Sequence, residues 1–165
     1  MAKKNCFLDP VTASGITREQ FVEFYTKVPR FCVDTVVLSQ ADGVPQVLLR
    51  RRGNAPYKGC WELTGGMVCF LETIERAVKR IIGYDFGRNV VSMAQLPGVM
   101  QHLHEIRNEN RFHSVSLAYR VVLDSFDIGG SQEARWFALD TLPKRMQPVQ
   151  GKYLHQAVAN GWLAI

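Results

Sequence analysis

The chain lacks any apolar run long enough to cross a membrane. Its longest such runs are strand-like pieces such as residues 33–38, whereas a membrane helix needs about 20 apolar residues. The N-terminus reads Met-Ala-Lys-Lys-Asn-Cys, with no apolar stretch behind the lysines, so no secretory signal is recognised. We therefore expect a cytoplasmic protein without a membrane partner.

Cysteine is also scarce. The chain has four cysteines, and their positions match neither the close pairs of a zinc site nor the dense framework of a disulfide-stabilised fold. We expect reduced and mostly buried thiols at Cys6, Cys32, Cys60 and Cys69.

Internal repeats, low-complexity tracts and linkers are missing too. What remains is 165 residues with 47% hydrophobic content, which is enough for one compact domain with a full core. We predict a single domain over residues 1–165, in which residues 1–15 form a loosely ordered extension. The net charge of +5 favours an anionic ligand. Because the basic residues are scattered and form no recognition motif, nucleic acid is not expected as a partner.

The apolar pattern predicts an α/β chain. Helical spacing indicates helices over residues 18–28, from residue 73 onwards, and over residues 150–160. Thr17 is placed to cap the first helix and Pro29 to stop it, while Gly161 suits a left-handed cap after the last one. Alternating β-rich runs predict strands over residues 31–39, 44–51, 90–96, 99–104, 112–123 and 135–138, with hairpin signals at Asp42-Gly43 and at residues 108–110.

Residues 65–87 hold a spaced motif. The Nudix pattern is Gly, five residues, Glu, seven residues, Arg-Glu, an aliphatic residue, any residue, Glu-Glu, any residue, Gly. The residues that fall on it in register are Gly66, Glu72, Arg80, Ile82 and Gly87. The chain therefore resembles the Nudix family. The resemblance implies the Nudix fold, an α/β (α+β) mixed sheet sandwiched between helices, and a Nudix-type hydrolase acting on a nucleoside-diphosphate compound.

Within that family the chain resembles the GDP-mannose mannosyl hydrolases, whose motif also keeps only its last acidic position. The matching segments are residues 16–34, Arg52, Gln101-His102 and Arg135-Trp136. This resemblance implies a nucleotide-sugar substrate, attack at the sugar carbon, one Mg²⁺ ion and a homodimer. The departures are Met67 for an arginine, and Gly130 and Ser131 for the family's metal-binding Gln and general-base His.

Ile81, Tyr84 and Asp85 occupy the three late glutamate positions of the motif. Their spacing of i, i+3 and i+4 predicts one shared helix face, which offers a single carboxylate. Since Mg²⁺ is usually bound through one or two carboxylates plus substrate phosphates, Asp85 and the Gly65 carbonyl are the predicted metal ligands, with Mn²⁺ as an alternative ion. The other interpretation is that Asp85 only flanks the helix end beside Gly87.

Glu72 and Arg80 are interpreted as architecture, because Glu72 lies within helical reach of an arginine. Gly65 and Gly66 either let the backbone approach a ligand closely or form a tight turn between strand and helix.

Arg52, at a strand end, is the predicted catalytic and phosphate-binding arginine, since a guanidinium gives two parallel hydrogen bonds to phosphate; the alternative is a solvated side chain. Alternation along the strand sends Arg51 to the face opposite its neighbours. Asp34 lies inside an apolar strand, where an unpaired carboxylate is costly to bury. It is predicted either to bind a substrate hydroxyl or cation or to pair with an arginine.

His102 and His104 alternate in one strand and share a side. His102 is the predicted substrate contact, with a structural imidazole as the alternative. Because Ser131 is too weak a base, proton removal from water falls to Glu133 or His102. The leading hypothesis is a Mg²⁺-dependent hydrolase of a nucleoside-diphosphate sugar. The alternatives are a non-catalytic nucleotide-binding Nudix domain and a pyrophosphatase that attacks phosphorus.

Overall fold

The computed structural model describes residues 17–41, 43–53, 57–103, 113–128 and 133–163. The predicted loose extension, the turn at residues 108–110 and His104 lie outside the described residues, as do Cys6, Gly130 and Ser131.

Three helices and seven strands make up the described part of the chain. They follow one another as α1 (Arg18–Tyr25), β1 (Arg30–Ala41), β2 (Val44–Arg51), β3 (Trp61–Glu62), β4 (Thr64–Met67), α2 (Ile74–Phe86), β5 (Val90–His102), β6 (Ser114–Leu123), β7 (Ala134–Ala138) and α3 (Pro148–Ala159). No helix of these ranges is both long and apolar enough to span a membrane.

Strand β1 organises a mixed sheet in the strand order β3-β2-β1-β6-β5. It runs parallel to β6 and antiparallel to β4 along its first half, with Asp34 opposite Gly65. Its second half pairs antiparallel with β2, and β2 also pairs with β3 and β7. The predicted α/β mixed sheet is confirmed.

The two faces of the sheet carry separate apolar clusters. Val33 and Val37 of β1 pack with α2 through Ala77, Val78, Ile81 and Ile82. Val36 and Leu38, on the other face of the same strand, pack with α3 through Tyr153, Leu154 and Ala157. Because successive strand side chains point to opposite faces, this alternation places one helix on each side of the sheet, as the resemblance predicted.

Helix α2 follows directly from its sequence. Thr73 caps it by accepting a hydrogen bond from the Arg76 backbone N–H at 3.2 Å, and Gly87 ends it in the left-handed conformation with φ 63°. Of the apolar residues that recur at helical spacing, Ile74 is partly buried and Ala77, Val78, Ile81 and Ile82 are buried. Local pattern and tertiary packing agree over this helix.

The other two helices differ from prediction at their ends. Helix α1 ends at Tyr25 rather than at residue 28, while its predicted Thr17 cap is confirmed by a hydrogen bond of 3.3 Å from the Gln20 N–H. Helix α3 begins at Pro148, two residues early, because Gln147 caps it through its side chain. Gly161 after it has φ 69°, as predicted.

Three strand predictions are corrected. Residues 90–96 and 99–104 were expected as two strands, but β5 is one strand whose register shifts between Gln95 and Val99, where Pro97 interrupts the ladder. Strands β3 and β4 had not been predicted. Gly65 and Gly66 lie inside β4, so the predicted tight turn at the glycine pair is wrong.

Leu71, in the loop between β4 and α2, carries a left-handed backbone with φ 58° and is 84% exposed. Such a conformation costs an L-residue roughly 1–2 kcal/mol, whereas glycine adopts it freely. We expect Leu71→Gly to raise the free energy of unfolding by up to about 1 kcal/mol after the entropy cost of glycine, measured by urea denaturation. Leu71→Ala keeps the Cβ and should give no such gain; equal stabilities of the two variants would contradict strain at this residue.

Candidate functional site

The predicted site residues separate into two polar clusters that contact different helices. Asp85, at the end of α2, contacts Arg50 near the end of β2. Asp34 and His102 instead contact the start of α3. The sequence had suggested one site, and the structure divides it.

The charge cluster consists of Arg50, Arg52, Glu62 and Asp85. Glu62 of β3 binds both arginines, with Arg50 Nη2 at 2.8 Å and Arg52 Nη1 at 2.6 Å. Arg50 Nη1 also lies 3.4 Å from Asp85 Oδ1. Alternation along β2 explains the arrangement, because Arg50 and Arg52 share a side while Arg51 is exposed, as predicted.

Asp85 is the least satisfied member of the charge cluster. Its side chain is only 4% exposed, and its Oδ2 is buried with no hydrogen-bond partner among the described residues. Burial therefore raises the pKa of Asp85 to about 6; nearby Arg50 opposes the rise and the Glu62 carboxylate adds to it. The alternative in which Asp85 merely flanks the helix end is wrong, because its side chain reaches across to β2.

This raised pKa makes stability depend on pH. The folded state holds the Asp85 proton more tightly than the unfolded chain does, so its stabilising contribution is full below about pH 4 and is lost as the pH rises to about 6. We expect Asp85→Asn to be more stable than the wild type by about 3 kcal/mol above pH 6 and nearly equal to it at pH 4 and below.

Urea denaturation of both proteins at several pH values from 4 to 8 measures this difference. Asp140→Asn, at an exposed site, controls for the loss of a surface carboxylate. A stability difference that stays constant with pH would contradict the assignment.

Glu72 and Arg80 form a framework contact at the start of α2, as predicted. Arg80 binds both carboxylate oxygens of Glu72 at 2.7 Å and donates to the Met67 carbonyl at 2.9 Å. These hydrogen bonds lower the pKa of Glu72. Glu72 precedes the helix, so it reaches Arg80 from the loop and leaves Arg76 exposed. The pair fixes the loop between β4 and α2 against the helix.

Gly65 is required by a close approach of strands. A Cβ at this position would lie 2.3 Å from Asp34 Oδ1 and 2.7 Å from the Val33 carbonyl oxygen. The close approach is therefore to β1 within the sheet. Whether the Gly65 carbonyl also binds a metal stays a prediction.

The α3 cluster consists of Asp34, His102, Gln147 and Gln150, all buried. Gln150 Nε2 donates to Asp34 Oδ1 at 2.8 Å, and Gln147 Nε2 lies 3.3 Å from His102 Nδ1. His102 Nε2 is 3.8 Å from Asp34 Oδ2. The interpretation that Asp34 pairs with an arginine is wrong, because an amide from α3 takes that place.

The remaining predicted residues have simpler environments. Arg52 is a partly buried ion-pair partner of Glu62, so its interpretation as a solvated side chain is wrong. Glu133 is exposed next to β7, and its carbonyl accepts a hydrogen bond from the Arg51 N–H. Residues 81, 84 and 85 lie in one continuous helix at the predicted spacing, but their environments differ: Ile81 is fully buried in the core, whereas Tyr84 is 41% exposed.

The described cysteines are free thiols, and each is partly rather than fully buried. Burial raises the pKa of Cys32 to about 12, so its thiol stays protonated at neutral pH and is a poor nucleophile.

Sequence reasoning missed Glu62, Arg50 and the two glutamines of α3. Glu62 and Arg50 face each other across the β2–β3 ladder, and a two-residue strand gives no periodic signal. The glutamines sit on a helix whose contact with β1 spans more than a hundred residues of sequence. The sequence did contain one detectable sign, because Glu62 is a carboxylate between the apolar residues Trp61 and Leu63.

The donor set fits one divalent ion better than a metal cluster. Across the described residues no group of three or more His, Cys, Asp or Glu could hold a metal. Asp85 nevertheless offers a buried oxygen without a partner, and Mg²⁺ needs only one or two carboxylates when substrate phosphates supply the rest.

The sequence profile of the NUDIX domain matches residues 29–157. The chain belongs to the Nudix domain family. The predicted Nudix fold is confirmed, and the family assignment supports the predicted Nudix-type hydrolase.

Individual Nudix proteins give the same result. The chain is 36% identical over 106 residues to an ADP-ribose pyrophosphatase of Methanocaldococcus jannaschii; the match covers 60% of this chain and 58% of that relative. A MutT Nudix hydrolase from Burkholderia pseudomallei has 31% identity and a TM-score of 0.61, covering 78% of this chain and 98% of its own. The Nudix domain of NrtR from Shewanella oneidensis, solved with ADP ribose, shares the fold at 22% identity and a TM-score of 0.61, covering 88% of this chain and 99% of its own.

These relatives agree with the assignment to the Nudix family. None of the three is named as a GDP-mannose mannosyl hydrolase. The curated relative is a pyrophosphatase of ADP-ribose, which is also a nucleoside diphosphate joined to a sugar. The Nudix assignment thus holds, and the narrower resemblance stays a prediction.

Proposed function

We propose that this Nudix protein hydrolyses a nucleoside diphosphate joined to a sugar, with ADP-ribose as the first candidate and with attack on phosphorus. The 36% identity to an ADP-ribose pyrophosphatase supports this substrate. The predicted GDP-mannose belongs to the same chemical class, since both substrates present two linked phosphoryl groups between a nucleoside and a sugar.

The observation that carries the proposal is the buried Asp85 carboxylate at the end of the Nudix motif. Its Oδ2 has no partner among the described residues, and Arg50 lies 3.4 Å from its Oδ1. Asp85 would hold one Mg²⁺ or Mn²⁺ ion together with the substrate phosphates. The ion would supply neutralisation of the diphosphate charge.

Arg52 is proposed to contact the diphosphate. Its guanidinium is held at 2.6 Å by Glu62, which fixes its position at the end of β2. A guanidinium orientated in this way can stabilise charge that develops on a leaving phosphate without further reorganisation.

Glu133 is proposed as the general base. It is exposed and therefore open to water, and its backbone is tied to Arg51 beside the charge cluster. His102 is enclosed among side chains of the α3 cluster, so we assign it no role in proton removal. Substrate contact by His102 and Asp34 stays a prediction.

A second candidate is attack at the sugar carbon, as the GDP-mannose resemblance predicted. The low number of carboxylates favours it, because the described residues provide no cluster for several metals. When water attacks the sugar carbon, only the negative charge of the departing diphosphate has to be neutralised. One divalent ion and Arg52 could neutralise that charge.

Incubation with ADP-ribose, GDP-mannose and UDP-glucose in Mg²⁺ or Mn²⁺, with all products quantified, tests both candidates. We expect AMP and ribose 5-phosphate from ADP-ribose. Nucleoside diphosphate plus free sugar would show attack at carbon. Tight binding without any product would reject hydrolysis and support a non-catalytic nucleotide-binding domain. The homodimer and the cytoplasmic location stay predictions.

A further inference from the structure

Arg50 lies between two buried carboxylates that come from different elements. Its Nη2 is 2.8 Å from Glu62 Oε1 on β3, and its Nη1 is 3.4 Å from Asp85 Oδ1 on α2. The carboxylate side chains are 3% and 4% exposed, whereas that of Arg50 is 27% exposed. A single cation therefore links two acids that water hardly reaches.

The linkage is incomplete on both carboxylates. Glu62 Oε2 accepts a hydrogen bond from Arg52 at 2.6 Å, but Glu62 Oε1, 2.8 Å from Arg50 Nη2, has no hydrogen-bond partner in the described part of the chain. Asp85 has one long contact, and its buried Oδ2 likewise lacks a partner there. A buried carboxylate oxygen left unpaired is costly. A divalent cation would therefore neutralise the two carboxylates of the charge cluster more completely than the Arg50 guanidinium does.

We propose that Glu62 and Asp85 are the two carboxylates of a divalent-cation site, and that the Arg50 guanidinium occupies this site until a diphosphate and a divalent ion arrive together. Glu62 supplies from β3 a carboxylate that the motif lacks at Ile81 and Tyr84. The inference rests on the proposed function for the identity of the diphosphate.

Charge explains why the ion and the diphosphate arrive together. While the Arg50 guanidinium lies beside Glu62 and Asp85, it repels a divalent cation that would bind the same carboxylates. Without a diphosphate, the protein therefore binds the ion weakly. A diphosphate offers the guanidinium a bidentate partner. Once Arg50 binds phosphate, Asp85 and the Glu62 Oε1 atom are released for the ion, while Glu62 Oε2 keeps its contact with Arg52. Each ligand then strengthens the binding of the other.

The first test measures Mn²⁺ binding without substrate, by the electron paramagnetic resonance signal of free Mn²⁺. We expect Arg50→Gln to bind Mn²⁺ at least about tenfold more tightly than the wild type, because the competing charge is gone. Arg51→Gln loses the same charge at an exposed site and should match the wild type. Equal affinities of Arg50→Gln and the wild type would overturn the proposal.

A second variant locates the ion. Adding Glu62→Gln to Arg50→Gln should abolish the gain in Mn²⁺ affinity, and a double variant that keeps the gain would exclude Glu62 as a ligand. Arg50→Lys retains the positive charge and should bind Mn²⁺ as weakly as the wild type. Circular dichroism confirms that each variant is folded before titration.

A measurement on the wild type alone keeps the proposal testable if Arg50→Gln does not fold. Calorimetric titration with methylenediphosphonate, a diphosphate mimic that is not hydrolysed, should show at least about tenfold tighter binding in saturating Mn²⁺ than in its absence. No gain would overturn the coupling.

The inference and the proposed function can fail separately. Absence of products from every nucleotide sugar would reject hydrolysis but leave the Mn²⁺ titrations unchanged. Conversely, the wild type could hydrolyse ADP-ribose while Arg50→Gln binds Mn²⁺ no more tightly than the wild type. That result would reject only the proposal that Arg50 occupies the cation site.

Discussion

Asp85→Asn is expected to lower kcat on the best nucleotide-sugar substrate by roughly 100-fold or more, with a smaller change in KM. Asn keeps the shape of the side chain but removes the negative charge from the only late glutamate position of the Nudix motif that is still acidic, a position that lies in the charge cluster. Loss of such a preorganised electrostatic group typically costs this much. Steady-state kinetics at saturating Mg²⁺ measures the effect.

The matched control is Glu75→Gln, which neutralises an exposed carboxylate of the same helix that pairs with Lys79. It should leave kcat within about twofold of the wild type, as an exposed pair contributes little. Because Asp85→Asn is expected to be more stable at neutral pH, loss of folding cannot explain its lower activity. Unchanged turnover in Asp85→Asn would remove the aspartate from the mechanism.

Gly65→Ala should be strongly destabilising, with a loss of about 3 kcal/mol or more in the free energy of unfolding. The added Cβ would overlap Asp34 Oδ1 and the Val33 carbonyl oxygen, at 2.3 and 2.7 Å. The carbonyl belongs to the central strand, so it cannot move aside as a flexible side chain can. Urea denaturation and the yield of soluble protein measure the loss.

Gly53→Ala is the control for this substitution, since no atom of the described residues lies within 4 Å of its added Cβ. It should change stability by less than about 0.5 kcal/mol. If the two alanine variants are equally stable, the close approach of β4 to β1 does not require glycine at residue 65.

Local patterns determined several elements of this fold before any tertiary contact was known. Helix α2, its Thr73 cap and its Gly87 end depend on residues within one stretch of chain, so periodicity and capping rules find them. The outward direction of Arg51 was accessible for the same reason. Helical spacing predicted an arginine partner for Glu72, but the loop before α2 decides that this partner is Arg80 and not Arg76. The spacing of the motif identified the family, because it reflects one loop and one helix.

The pairing of distant segments decided the composition of the candidate site. Glu62 reaches Arg50 only because β3 pairs with β2, and Gln150 reaches Asp34 only because α3 packs on the other face of the sheet. Gly65 acquires its steric role from the register of β4 against β1. Sequence periods specify which way a side chain points relative to its own element, whereas the partner it meets depends on how the elements pack, which no local pattern contains.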